Sequence, residues 1–353
     1  MTLGVLDALS RLVAFDTRNP PRALHANSKV FDFLREHFEG SHIEIIDEGE
    51  GSVSFLAVRG QPETLFNFHI DTVPVAEGWT RDPFKLRVAD GRATGLGACD
   101  IKGALAAMLA ASSATKGDLA VLVTTDEEAG NSQCIRKFVA RRPDFKRVIV
   151  AEPTGCRAVR QHRGILSGRV TFGGVAGHAS EARAIHDNAN HRLMNWGSAL
   201  QSVIQGAAQG DALHDLRLNI GRIEGGIKPN MIAASATAAF NLRTPPGADH
   251  DAIIDALDRI SGAEHIDDTQ YTFVAPALPS AAATTRADVS DLNIEVAEPV
   301  DFWTEAALFD AAGYPAVVIG SGDIAQAHTA DEWVATDDLE KLNQLYTQWI
   351  DHG

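Results

Sequence analysis

Short apolar runs at residues 65–68, 121–125, 147–151 and 316–319 are separated by segments whose apolar residues recur at helical spacing. Runs of that length and composition read as buried strands. Strands alternating with helices commit a chain to a mostly parallel sheet with helices on both faces. In open sheets of this kind, ligands gather at the carboxyl ends of the strands. His69, Glu127, Glu128 and Glu152 each fall where one of these strands is predicted to stop.

The run at 65–68 leads into His69 and Asp71. On a strand, residues i and i+2 share a face, so an imidazole and a carboxylate are predicted side by side. Neutral imidazole is a good metal ligand, and a neighbouring carboxylate fixes its orientation. Alone, the pair is better explained by a salt bridge at a strand end. Further along stand Asp100, Glu128, Glu152 and His328, and with His69 they form a candidate ligand set. Imidazole mixed with carboxylate suits Zn²⁺, with Co²⁺ and Mn²⁺ as substitutes. The set exceeds the needs of one hydrolytic ion and fits two if a carboxylate bridges. Glu127 points away from its neighbour if the strand runs through both, leaving it free to move a proton. Taken singly, these residues have ordinary readings: Glu127-Glu128 a solvated loop, Asp100 a helix N-cap, Glu152-Pro153 a turn, His328 a loop residue.

From about residue 163 the pattern changes to strand, helix, strand, strand, helix, strand, ending near residue 275. That order is the split βαβ arrangement of ferredoxin-like domains. The expected organisation is a catalytic α/β domain over 1–162 and 276–353, interrupted by an α+β insert over 163–275. The pattern predicts a loop over 73–90 and a single strand over 231–242.

The net charge of −16 disfavours nucleic acid and anionic membranes as partners. Cys99, Cys134 and Cys156 form no Cys-x-x-Cys pair, and their odd number fits reduced cytoplasmic thiols. The first residues lack the pattern of a signal peptide, and the longest apolar run, at 103–114, is too short to span a bilayer. Gly95-Leu-Gly97 before a helix invites a dinucleotide reading, but Asp100 occupies the third position of that fingerprint and repels phosphate.

Several motifs together resemble the dinuclear-zinc acylases and exopeptidases of the acetylornithine deacetylase, succinyl-diaminopimelate desuccinylase and aminoacylase type. They are His69-Ile-Asp71, Gly95-Leu-Gly97-Ala-Cys-Asp100-Ile-Lys102-Gly103, Asp126-Glu127-Glu128, Ala151-Glu152-Pro153, Gly177-His178-Ala179-Ser180 and Ala327-His328. The resemblance runs nearly end to end. It implies that Asp100 bridges two metal ions, with His69 and Glu152 completing one site and Glu128 and His328 the other. Asp71 is then the partner of His69, and Glu127 the general acid/base. The resemblance also implies a cis peptide between Asp100 and Ile101 and a homodimer formed through the insert. In such a dimer His178 reaches the partner's active site and polarises the scissile carbonyl, while Asn230 and Arg243 position the substrate.

Within that group, Asp301-Phe-Trp-Thr-Glu305-Ala306 and the stretch from Gly320 to Glu332 are similar to acetylornithine deacetylases. The Phe302-Trp303 pair is most similar to the variant acting on N-acetylcitrulline. The expected activity is removal of an acetyl group from a small N-acetyl amino acid in arginine biosynthesis, acetylornithine first and acetylcitrulline as the alternative. A desuccinylase, a dipeptidase and a metal-free regulatory homologue are the rivals.

Overall fold

The computed structural model describes residues 3–130, 132–141, 143–263, 266–283 and 285–352. Its contacts divide the chain into two units, one made of residues 1–160, 282–299 and 304–353, the other of 161–281 and 300–303.

The first unit is built on a six-stranded sheet. Its order is His42–Asp47, Val53–Arg59, Leu119–Thr124, Thr64–His69, Arg147–Val150 and Ala316–Val318. The last four strands run parallel, and the first two are added antiparallel at one edge. Side chains alternate across a sheet, and here both faces are buried. Phe66, Phe68, Val121, Val123, Ile149 and Val317 join the core shared with helices Val5–Ala14, Gly103–Ala114 and Thr336–His352. Their strand neighbours Leu65, Leu122, Val148, Val150 and Val318 are equally buried and face the other way. Helices Gln133–Ala140 and Ala306–Ala311 pack together through Phe138 and Phe309, ring centroids 6.3 Å apart. The mostly parallel sheet with helices agrees with the fold class expected from the sequence.

Register sets the carboxyl ends level. Asn67 lies beside both Leu122 and Val150, and His69 beside Thr124. The residues that follow these strands therefore emerge at one edge of the sheet.

The second unit has a four-stranded antiparallel sheet in the order Arg217–Gly225, Ser235–Thr244, Gly164–Gly173 and Asp268–Ala275. Helices Ala189–Gly206 and His250–Ala263 accompany it. In chain order the strands are stacked 2-3-1-4, which is the ferredoxin-like arrangement. The core of this unit gathers Phe172, Trp196, Leu200, Phe240 and Leu257.

The elements depart from expectation at three places. The predicted strand at 231–242 is two strands, Met231–Ile232 and Ser235–Thr244, the first pairing with Gly177–His178 instead of joining the large sheet. The predicted loop at 73–90 ends in a strand, Arg87–Ala89, which pairs with Arg92–Thr94 and through it with Trp333–Ala335. At the third, Leu119–Thr124 stops before the acidic pair, so Glu127 and Glu128 sit on a turn and no strand runs through both. Among the described residues no helix is long and apolar enough to cross a membrane.

Candidate metal centre

His69 ends its strand buried, with its ring held from behind. Nδ1 is 3.2 Å from the Asp71 carbonyl oxygen and 3.7 Å from Asp71 Oδ1. An imidazole that donates its Nδ1–H in this way presents the Nε2 lone pair forward. Nε2 faces Asp100 Oδ1 at 3.1 Å and Glu152 Oε1 at 3.8 Å. Asp100 sits in the tight turn Ala98–Lys102, whose Asp100–Ile101 peptide is cis. Its second oxygen, Oδ2, lies 3.3 Å from His328 Nε2, which is 2.8 Å from Glu128 Oε1.

Two sets of donors result: His69, Asp100 and Glu152, and Asp100, Glu128 and His328, the atoms of each set within 4.8 Å of one another. Asp100 belongs to both and turns one oxygen toward each histidine. The first set is buried, whereas His328 is half open to solvent. Asp71 also touches the second set, because its Oδ2 accepts the Glu128 N–H at 2.9 Å.

The charge balance of this cluster calls for cations. Asp100, Glu127, Glu128 and Glu152 crowd around two imidazoles. Burial, together with Glu152, Glu128 and Glu305, pushes Glu127 well above the ordinary carboxylate range, against the opposing pull of His69. Burial and the charge of Asp100 do the same to Glu152. Burial opposes ionisation of Asp100, yet its hydrogen bonds to His328 and His69 hold it well below the ordinary value. Divalent ions reverse this crowding by supplying positive charge where the oxygens converge. The mixed nitrogen and oxygen donors therefore fit a pair of such ions.

Two further acids stand behind the cluster, and the sequence offered no role for either. Glu305 is buried, its Oε2 3.5 Å from Thr124 Oγ1, and burial with Asp126 nearby pushes it up to about 8. Glu332 is buried against the turn carrying Asp100. Both lie in motifs quoted above, but a glutamate taken singly reads as a surface residue, and only its burial distinguishes it.

The remaining expected site residues lie in the second unit. His178 is exposed, with Nδ1 2.7 Å from Ser180 Oγ and its N–H donated to Glu181 Oε1 at 2.8 Å. Asn230 is brought beside it: the Asn230 carbonyl accepts the Ala179 N–H at 3.1 Å, and Met231 pairs with His178. Arg243 is half-buried on Ser235–Thr244, opposite Ile165 and Arg217. Burial pushes its guanidinium down, and the Asp301 carboxylate opposes that.

Known proteins match this architecture along nearly the whole chain. An N-acetyl-L-citrulline deacetylase from Xanthomonas campestris pv. campestris is 46% identical over 350 residues, covering 96% of this chain and 95% of that protein. An acetylornithine deacetylase from Edwardsiella ictaluri is 32% identical over 310 residues, covering 80% and 78%. Among solved structures, an M20 family metallo-carboxypeptidase from Sulfolobus solfataricus superposes with a TM-score of 0.76 at 17% identity, covering 98% of each chain. At that identity the likeness speaks for the fold alone. The model of peptidase family M20/M25/M40 matches residues 65–352, and the chain belongs to that family.

Proposed function

We propose that this chain is a metal-dependent amidohydrolase that removes the acetyl group from N-acetyl-L-citrulline. The observation that carries the chemistry is the position of Asp100, one oxygen toward each histidine, between two otherwise separate donor sets. His69, Asp100 and Glu152 would hold one ion, and Asp100, Glu128 and His328 the other. Zn²⁺ suits this donor set best, and Co²⁺ or Mn²⁺ would substitute. Such ions supply Lewis acidity toward an amide carbonyl and lower the pKa of water.

The protein's own groups supply the proton traffic and the grip on the substrate. Glu127 takes a proton from the attacking water and delivers it to the departing nitrogen as the C–N bond breaks, so acetate and a free amine leave. Asp71 orients His69 and holds the Glu128 backbone in place. Arg243 grips the substrate α-carboxylate in the bidentate manner open to a guanidinium, and Asn230 shares in positioning. His178 donates to the acetyl oxygen from the partner subunit of a homodimer, in the manner of an oxyanion-hole donor. The dimer is supported by the outer edge of Arg217–Gly225, which pairs with no further strand among the described residues, and by exposed apolar side chains on the same unit, Ile223 at 61% and Ile227 at 82% among them. Free, buried Cys99, Cys134 and Cys156 suit the reducing cytoplasm.

Citrulline is preferred over ornithine because the 46% identical relative carries that name, against 32% for the acetylornithine enzyme. The Phe302-Trp303 pair points the same way. Acetylornithine is the second reading and differs by a cationic side chain in place of a neutral ureido group. Turnover of N-acetyl-L-citrulline and N-acetyl-L-ornithine at equal concentration tests the choice. Faster turnover of the first is expected. Preference for the second transfers the assignment, and activity only on dipeptides or an N-succinyl substrate removes it.

A further inference from the structure

Glu332 immediately precedes the strand Trp333–Ala335 and is only 2% exposed. Its Oε2 accepts the Gly97 N–H at 2.9 Å, and its Oε1 accepts those of Cys99 at 2.8 Å and Asp100 at 3.0 Å. These amides lie in and just before the turn Ala98–Lys102, which leads into the helix Gly103–Ala114. A carboxylate in such a nest makes charge-assisted hydrogen bonds, stronger than neutral ones. The amides converge because Gly97 adopts φ +76°, and a Cβ there would come within 2.7 Å of Thr72 Cγ2. The backbone on either side is pinned as well: Gly95 N–H donates to the Glu332 carbonyl at 3.0 Å. Lys102, fully buried with Nζ 3.1 Å from the Phe15 carbonyl, supplies a positive charge nearby. The neighbouring Asp331 accepts from both the backbone and the hydroxyl of Thr80, at 3.0 and 2.8 Å, which anchors the segment following His328.

We propose that Glu332 is a positioning residue for the metal pair. By holding the amides of Gly97, Cys99 and Asp100, it fixes the shared Asp100 carboxylate between the two donor sets and ties it to the segment that carries His328. The inference rests on the dinuclear reading given above. Glu332 itself stays clear of the ions and acts through the backbone of Asp100.

The test is Co²⁺ titration of metal-stripped wild-type, Glu332→Gln and Glu332→Asp proteins, followed by calorimetry and visible absorption. Glu332→Gln keeps the shape but turns an N–H₂ group toward a backbone N–H. Wild type is expected to take up a pair of ions. The Gln variant should bind them at least about ten-fold more weakly with an altered Co²⁺ spectrum, as removal of outer-shell partners does. Glu332→Asp, which keeps the charge, should recover part of the affinity. A Gln variant with native circular dichroism, wild-type affinity and wild-type spectrum overturns the inference. Should that variant fail to fold, Glu332→Asp decides: its carboxylate is one methylene short, and unchanged affinity and spectrum there overturn it equally. Failure of wild type to bind a pair of ions refutes the dinuclear reading instead.

Discussion

Asp71 serves both donor sets at once. One of its oxygens stands behind the His69 ring and the other receives the Glu128 N–H. Asp71→Asn should therefore weaken Co²⁺ binding at both sites, by about 10- to 100-fold, measured by calorimetry on the stripped protein. Glu127→Gln makes a different prediction. The variant should bind metal as wild type does and lose roughly 10²- to 10⁴-fold in turnover, the range attributed to general acid–base groups. Retained turnover would take the proton away from Glu127. At this scale the sequence was most legible where residue type alone carries chemistry, as with His69, Asp100 and His328. Glu305, Glu332 and Lys102 were illegible because their importance comes from burial. Charged side chains are mostly exposed, so the residue type alone gives no sign that one will face inward.

At the scale of elements, the long buried strands were readable because apolar runs and strand ends are local signals. The sheet of Arg87–Ala89, Arg92–Thr94 and Trp333–Ala335 was not, since each strand is very short and one partner comes from far along the chain. The break between Met231–Ile232 and Ser235–Thr244 was hidden by a run of small residues, Ala233 to Ala239, that carries no Gly or Pro to mark a turn. Two predictions belong here. Gly97→Ala places a Cβ in a left-handed backbone and against Thr72, so it should cost about 1–2 kcal/mol or more in urea unfolding. Tyr346, on the helix Thr336–His352, is fully buried between Phe66, Phe68 and Trp349, and its hydroxyl meets no partner among the described residues. Tyr346→Phe should consequently be neutral or stabilising by up to about 1 kcal/mol, since it removes a buried polar group and keeps the ring. A clear loss of stability would reveal a bond the hydroxyl makes.

For the whole molecule, pH and assembly offer the sharpest checks. Burial pushes His37 down to about 4, with a hydrogen bond from the ring to the Leu109 backbone carbonyl opposing and Arg11 reinforcing. Its Nε2 lies 2.8 Å from Ser112 Oγ, and its ring packs edge-on to Phe38. The folded protein thus keeps this ring neutral, while the unfolded chain takes up a proton near its ordinary value of about 6.5. Stability from this residue is complete above about pH 6.5 and falls as the pH drops toward about 4. Urea unfolding across that window should show a shallower pH dependence for His37→Gln than for wild type. The homodimer is checked by mixing His178→Ala and Glu127→Gln proteins, each inactive alone. Hybrid sites should restore part of the activity, and none would return if His178 acted within its own chain. The chain order of the donors has a last consequence. Every candidate ligand except His328 precedes the ferredoxin-like unit, and His328 follows it, just after the strand Ala316–Val318 closes one edge of the sheet. A ribosome therefore delivers a nascent chain able to assemble one donor set long before the other, which waits until His328 has been added.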